Sequence, residues 1–309
     1  MTQCVKTWRA LVVCLALVAT DSVAHAGQWQ TGAPMLSKRT EVAVASIGPK
    51  IFVAGGFGGD QALEIYDTVS DRWERGAALP KTLHHAGAAA VDNRVYVIGG
   101  YVGGWQAVSS VYEYNPDQDQ WRRRAEMPTA RGALAVAVLD GRIHAIGGAS
   151  RRTNTGAHEV YDPRTDKWQA LTDLPTPRDH LAAGTVAGKI YVVGGRINGS
   201  YARNLAVNEA YDPVTGKWKT AAPLPRARSG IAATVLGSTL VVVGGESPSG
   251  TFDDVDAYDA DADSWGALDP LPTARHGLGA AAVSGRLFVI SGGPTPGGSY
   301  SAANEIYEP

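Results

Sequence analysis

The chain has 309 residues, of which 37 are glycine and 19% are charged, and its formal net charge at pH 7 is −2. An apolar fraction of 44% is enough for a folded core and excludes a disordered chain. The absence of a basic excess excludes nucleic acid as an expected partner, because no surplus cation is left to neutralise phosphates. Glycine this abundant, without collagen's three-residue period, indicates many tight turns.

The N-terminal segment has the features of a secretory signal peptide. Lys6 and Arg9 form a short positive region, and an apolar run follows from Ala10 to Ala19. This run is too short for a membrane-spanning helix, and Ala24-His25-Ala26 fits the small-residue cleavage pattern. We therefore predict that the first 26 residues are a signal peptide and that 27–309 are one exported domain, periplasmic or extracellular, in a bacterial host and without a membrane span.

One pattern recurs six times through the predicted mature chain. Each copy has a tryptophan, a Leu-Pro-like pair that ends seven positions later and a glycine doublet nineteen positions after that. The tryptophans are Trp29, Trp73, Trp121, Trp168, Trp218 and Trp265. A tyrosine lies seven positions before each of the last five: Tyr66, Tyr114, Tyr161, Tyr211 and Tyr258.

Each copy predicts four short β-strands. A run of small residues, such as Ala133 to Val138, suits an inner strand that is crowded near an axis. Four apolar residues, such as Val95 to Ile98, then end in the glycine doublet, and the tyrosine and tryptophan mark two outer strands. Because propellers pack such sheets without long exposed edges, the pattern predicts an all-β, six-bladed propeller of four-stranded antiparallel blades.

Four apolar residues, a glycine doublet, a variable gap, then a tyrosine and a tryptophan seven positions later resemble the kelch repeat. The resemblance covers essentially all of residues 27–309. The departures are small, such as Ser291 in place of a glycine and Leu36 in place of a proline. The resemblance implies a six-bladed propeller, the architecture that the strand pattern also predicts.

The two ends of the mature chain predict how the ring closes. The last copy stops shortly after Tyr307 and has no tryptophan of its own, whereas Trp29 at the other end has no tyrosine before it. We therefore predict that the N-terminal strand completes the last blade. Cys4 and Cys14 both lie in the predicted signal peptide, so no disulfide is expected to fasten the ring.

Between the glycine doublet and the tyrosine the chain varies in length, and the other intervals are constant. Variable loops on a constant scaffold commonly carry function, so we predict a binding surface on the face that these loops share. The candidate binding residues are Tyr101, Trp105, Arg151, Arg152, Tyr201 and Tyr300. Phe57 and Phe252 are expected to pack on neighbouring loops, and Trp105 is equally compatible with packing and with binding.

A second candidate is a ring of arginines three positions after the Leu-Pro pair: Arg39, Arg131, Arg178, Arg228 and Arg275. In some kelch proteins arginines at this position bind acidic peptides, which favours an anion site. However, an acid lies two residues before the tyrosine in each copy that has the arginine, and the second copy lacks both, with Leu83 and Tyr112 instead. The sequence therefore favours structural ion pairs over an anion site.

The sequence evidence for a catalytic site is weaker than the evidence for a binding surface. His84, His85, His180 and His276 fall near the expected mouth of the channel, but they belong to different blades and lack metal-ligand spacing. We expect them at solvated loop positions, and we expect no catalytic residue, metal or cofactor. A copper oxidase of the kelch type would need a cysteine, which the predicted mature chain lacks.

The resulting prediction is a non-catalytic binding module for a protein or glycan ligand on the variable-loop face. The alternative is a periplasmic enzyme of the sialic acid mutarotase type, which the kelch resemblance leaves open. Such an enzyme needs an arginine for the sugar carboxylate and an acid or histidine for proton transfer. An unpaired arginine beside a buried acid would favour the enzyme, and arginines that are all paired would favour the binding module.

Overall fold

Six four-stranded antiparallel sheets surround one axis, and the innermost strand of each sheet packs against those of its two neighbours. The computed structural model describes residues 1–2, 27–151 and 153–309. Apart from its first two residues, the predicted signal peptide, including both cysteines, lies outside the described residues. The all-β, six-bladed propeller predicted from the sequence is confirmed.

The blades are numbered along the chain, and their strands run from the axis outward. Blade 1 comprises Ala43–Ile47, Lys50–Ala54, Leu63–Asp67 and Arg72–Gly76. Blade 2 comprises Gly87–Val91, Arg94–Ile98, Val111–Asn115 and Gln120–Arg124. Blade 3 comprises Ala135–Leu139, Arg142–Ile146, His158–Asp162 and Lys167–Ala170.

The second half repeats the same plan. Blade 4 comprises Ala182–Val186, Lys189–Val193, Asn208–Asp212 and Lys217–Ala221. Blade 5 comprises Ala232–Leu236, Thr239–Val243, Val255–Asp259 and Ser264–Ala267. Blade 6 comprises Gly279–Val283, Arg286–Ile290, Asn304–Glu308 and, as its outer strand, Gln28–Thr31.

Ring closure follows the predicted arrangement. The N-terminal strand pairs antiparallel with the last strand of the chain, and Trp29 lies opposite Tyr307. The two rings pack at a centroid distance of 5.1 Å, and Trp29 Nε1 donates to the Asp269 carbonyl oxygen. Backbone pairing between the two ends therefore joins the first and last parts of the propeller.

The recurring tyrosine and tryptophan fasten neighbouring blades. In blade 3 the Tyr161 hydroxyl donates to Asp166 Oδ1, which also accepts the backbone N–H of Ala125 from the preceding blade. Trp168 Nε1 donates to the carbonyl oxygen of the same alanine. The fixed spacing in the sequence thus reflects a contact that holds one blade to the next.

Short two-stranded hairpins extend four of the variable loops on one side of the disc. They pair Tyr101–Val102 with Gln106–Ala107, Ala149–Ser150 with Thr153–Asn154, Arg196–Ile197 with Ser200–Asn204, and Glu246–Ser247 with Gly250–Thr251. A single 3₁₀ turn, Gly103–Trp105, is the helical element of the described residues. Within those residues no helix is both long and apolar enough to cross a membrane.

Candidate functional site

The five framework arginines are buried in ion pairs with the acids of their own blades, as the repeat comparison predicted. Their side chains are 0% exposed, so none can contact a ligand on the surface. The pairs are Arg39–Glu64 (2.6 Å), Arg131–Glu159 (2.5 Å), Arg178–Glu209 (2.5 Å), Arg228–Asp256 (2.7 Å) and Arg275–Glu305. In blade 2, Leu83 and Tyr112 are buried in the core instead. The anion-site alternative for these arginines is therefore wrong.

A deep pocket opens around the axis on the side of the variable loops. Its volume is about 1150 Å³, which is large enough for a ligand of several sugar units. All six blades contribute to its lining through three kinds of position. Some lie one or two residues after a framework arginine or its equivalent, some lie directly after a glycine doublet, and some lie at the tips of the loops. We call this cavity the axial pocket.

Half-exposed aromatic rings form part of the rim of the axial pocket. Trp105, Tyr201 and Tyr300 are 48%, 37% and 42% exposed and all line the cavity. One side of Trp105 packs against His84 and His85, with ring centroids 5.1 Å away in both cases. Trp105 thus combines the two possibilities left open by the sequence, because it packs on its surroundings and still presents surface to the pocket.

The other predicted loop residues differ in their surroundings. Tyr101 lines the pocket, but it is buried and its hydroxyl donates to the Ala149 carbonyl oxygen, so it is not a free aromatic ring as predicted. Arg151 lies at the pocket, and Arg152 lies outside the described residues. Phe57 stacks on His84 and also lines the pocket, whereas Phe252 lies beneath the guanidinium of Arg226.

The four histidines are buried, so their predicted solvated positions are wrong. His85, His180 and His276 line the axial pocket, and His84 lies behind them. These residues lie one or two positions after the framework position, where isolated β-bridges and backbone hydrogen bonds hold the chain beside the pocket before it enters the innermost strand. The histidines are far apart in the sequence, but equivalent positions of the blades face the axis, so they lie close together in the structure.

Arg196 is the cation at the centre of the pocket wall. Its Nη1 contacts Glu246 Oε1 at 2.6 Å, its Nε contacts Asp179 Oδ1 at 3.3 Å and its Nη2 donates to His180 Nε2 at 2.6 Å. Burial opposes ionisation of Asp179, but hydrogen bonds to His180 and others outweigh it and lower the Asp179 pKa to about 2. Arg196 is therefore fully engaged by protein groups.

His276 lies between two carboxylates in the same wall. Its Nδ1 is 3.6 Å from Glu41 Oε1 and 3.6 Å from Glu246 Oε1, and the side chain is 2% exposed. Burial alone would lower the His276 pKa, but the two acids outweigh it, so the pKa is raised. Among the described residues neither ring nitrogen has a hydrogen-bond partner within 3.5 Å, and both nitrogens are buried in the pocket wall.

Sequence reasoning missed this charged cluster. The cluster consists of residues at repeat positions where the residue type differs from copy to copy, so no motif marks them: Glu41, Asp179, Arg196 and Glu246. A signal was nevertheless present, because the two positions after the framework arginine vary from glycine to histidine and acid while the flanking positions repeat. A residue type that varies at a fixed position of a repeat indicates a functional position, as variation in loop length does.

These features define a ring-closed propeller whose axial pocket combines aromatic, acidic and basic side chains. The family model described as the KLHDC2/KLHL20/DRC7 Kelch-repeats domain matches residues 15–195 and 169–308. The chain therefore belongs to the kelch-repeat family.

Individual relatives are similar over shorter stretches. Kelch-like protein 25 of Xenopus laevis is 31% identical over 88 residues, which cover 27% of this chain and 14% of that protein. Kelch-like protein 38 of Mus musculus is 38% identical over 77 residues, which cover 24% of this chain and 13% of that protein. The chain thus matches less than a fifth of the length of these curated relatives.

A solved structure described as the structure of YjhT resembles the whole propeller. The TM-score is 0.78, and the alignment covers 88% of this chain and 95% of the other at 17% sequence identity. At this identity the likeness establishes the shared fold.

Proposed function

We propose that this protein is an exported kelch propeller that binds a saccharide in its axial pocket. The observation that carries the proposal is the pairing of half-exposed aromatic rings at the rim with buried carboxylates and imidazoles at the floor. Aromatic faces offer flat apolar surface to the C–H face of a sugar ring, and carboxylates accept hydrogen bonds from its hydroxyl groups.

The concavity of the site favours a glycan over a folded protein as ligand. A cavity of about 1150 Å³ encloses a small ligand, whereas protein partners bury broad and flatter surfaces. The charge of the lining favours a neutral saccharide. Three acids, Glu41, Asp179 and Glu246, face two arginines, and the more deeply placed Arg196 is already paired with two of those acids.

A glycan array, followed by calorimetric titration of the saccharide that it identifies, tests the proposal. We expect Trp105→Ala to weaken binding by about 30-fold or more, equivalent to about 2 kcal/mol, as for a central aromatic anchor. Phe252→Ala is the matched control, because it removes a loop aromatic that lies under Arg226 and outside the pocket lining. Equal weakening in both variants, or no glycan bound on the array, would contradict the proposal.

His276 supports a second candidate, mutarotase activity on a sugar acid. His276 lines the pocket, and its raised pKa favours the protonated imidazole that a general acid needs to protonate the ring oxygen, while Glu41 or Glu246 accepts the anomeric hydroxyl proton. The ring then opens to the carbonyl form and recloses on the other face. Among the described residues that line the pocket, Arg151 is the arginine available for the carboxylate, since Arg196 is paired.

Proton NMR of a freshly dissolved single anomer separates the two candidates. An enzyme accelerates interconversion of the anomers at substoichiometric concentration, and His276→Gln removes that acceleration. A binding module leaves the rate unchanged while the sugar signals still broaden on binding.

A further inference from the structure

Six residues form a closed ring of backbone hydrogen bonds around the axis, at the floor of the axial pocket. They are Glu41, His85, Ala133, His180, Gly230 and Gly277, one from each blade, and we call them the axial ring. Each N–H donates to the carbonyl oxygen of the ring residue in the preceding blade, over distances of 2.6 to 3.1 Å, and Glu41 N–H closes the circle on Gly277.

Every residue of the axial ring has a positive φ, between 51° and 65°. Glycine adopts this left-handed region without strain, and blades 5 and 6 carry glycine there. Larger side chains pay a conformational cost of about 1 kcal/mol or more, and such residues concentrate at functional sites. Blades 1, 2 and 4 nevertheless place Glu41, His85 and His180 at this strained position, which points to a role for their side chains.

These three side chains converge. One ligand atom from each lies within 4.8 Å of the others, and His85 Nε2 is 3.3 Å from Glu41 Oε2. Both imidazoles are oriented by a second contact: His180 Nδ1 bonds to Asp179 Oδ1 at 2.5 Å, and His85 Nδ1 bonds to His84 Nδ1 at 2.7 Å. Histidine ligands of metals commonly have such outer partners, and a carboxylate is one of the usual ones.

We propose that Glu41, His85 and His180 bind a divalent transition metal at the floor of the axial pocket. Two imidazoles and one carboxylate are a ligand set that Zn²⁺ and Fe²⁺ use when a further position is left for water or substrate. In this fold that position faces the axial pocket, so a hydroxyl group of a bound ligand can reach the metal.

Arg196 provides an internal test of the site. Its Nη2 lies 2.6 Å from His180 Nε2, so a metal bound at that nitrogen displaces the guanidinium. The contact of Arg196 with Glu246 Oε1, at 2.6 Å, is made by the other terminal nitrogen, Nη1, so it does not depend on the contact with His180. Removing this cation therefore removes both a competitor for the nitrogen and a repulsive charge.

Calorimetric titration of the metal-stripped full chain with Zn²⁺ tests the proposal directly. Cys4→Ser and Cys14→Ser are introduced throughout, so that no thiol competes for the ion. We expect one Zn²⁺ per chain with a Kd below about 100 µM. His85→Gly and His180→Gly install the residue that blades 5 and 6 already carry, so they preserve the backbone ring and weaken binding at least about 100-fold.

Two further variants make the outcome specific. His158→Gln removes a buried histidine of blade 3 outside the pocket and leaves the Zn²⁺ affinity unchanged. Arg196→Gln strengthens binding about tenfold, and bound Co²⁺ gives visible d–d bands that disappear in His180→Gly. A Kd above about 100 µM in the parent chain, or undiminished affinity in the two glycine variants, overturns the site. Saccharide binding is measured separately, so failure of the metal site leaves the proposed function standing.

Discussion

The buried pair of Arg178 and Glu209 allows a quantitative test of how the blades are stabilised. Arg178 is 0% exposed, and its guanidinium donates to Glu209 Oε2 and to the carbonyl oxygens of Gly194 and Val192. Changing Arg178 to leucine leaves the Glu209 carboxylate buried without its cation. Because a broken buried pair leaves an uncompensated charge, we expect a loss of about 3–5 kcal/mol in the free energy of unfolding.

Blade 2 shows how the loss can be recovered. It carries Leu83 and Tyr112 at the equivalent positions, both buried, so the fold already contains an apolar version of the pair. The double variant Arg178→Leu/Glu209→Tyr should therefore recover most of the loss and lie within about 1–2 kcal/mol of the parent chain. Lys50→Met, which breaks a solvent-exposed pair with Glu74 at 2.8 Å, is the matched control and should cost at most about 1 kcal/mol.

Urea unfolding of the parent chain, Arg178→Leu, Glu209→Tyr, the double variant and the Lys50→Met control, followed by tryptophan fluorescence, gives the free energies and a double-mutant cycle. The pair is structural if Arg178→Leu costs several kcal/mol and the second substitution restores stability. A loss below about 1 kcal/mol, or a double variant as unstable as the sum of the single changes, would refute the reasoning.

Three other predictions follow from the fold. Trp29→Ala should lower the free energy of unfolding of the whole domain by about 2–3 kcal/mol in a single transition, because the partly buried ring packs on Tyr307 at the closure; unchanged thermal unfolding would argue against closure by this strand. Ala133→Gly should raise stability by about 0.5–1 kcal/mol, because glycine relieves the positive φ of 51°, and a destabilised variant in urea unfolding would contradict strain there. Burial lowers the pKa of His144 to about 4 and of His158 to about 3, below the value near 6.5 of an unfolded chain. The unfolded state therefore binds more protons below pH 6.5, so stability falls as the pH drops and each histidine contributes about 2 kcal/mol of loss at pH 5. His158→Gln should flatten the pH profile of unfolding between pH 6.5 and 4, and an unchanged slope would contradict this assignment.

The repeating framework could be predicted from the sequence because its contacts repeat. Tyr161 and Trp168 bond to the same neighbouring alanine in the structure, and their spacing is equally fixed in the other copies. The arginine–acid pairs were also accessible, since blade 2 lost both partners together. Physical coupling leaves a trace in a single sequence when the sequence contains several copies of the same unit.

The axial pocket could not be predicted in the same way. Its charged residues come from different blades. Glu41, His85 and His180 occupy the same position of the repeat, but the residue type at that position differs from copy to copy, so no shared motif marks them. All residues of the axial ring have a positive φ, but in the sequence only the glycines of blades 5 and 6 indicate such a backbone conformation. Closure of the propeller brings residues that are distant in sequence together at the axis, and short sequence motifs do not predict these contacts.

A crystal structure of the chain with the saccharide selected on the glycan array tests the central claim most directly. The account predicts sugar density inside the axial pocket, with a ring packed on Trp105 and hydroxyl groups within hydrogen-bond distance of Glu246 or His276. Saccharide bound on the outer strands or on the opposite face of the disc, with the axial pocket unaltered, would contradict it.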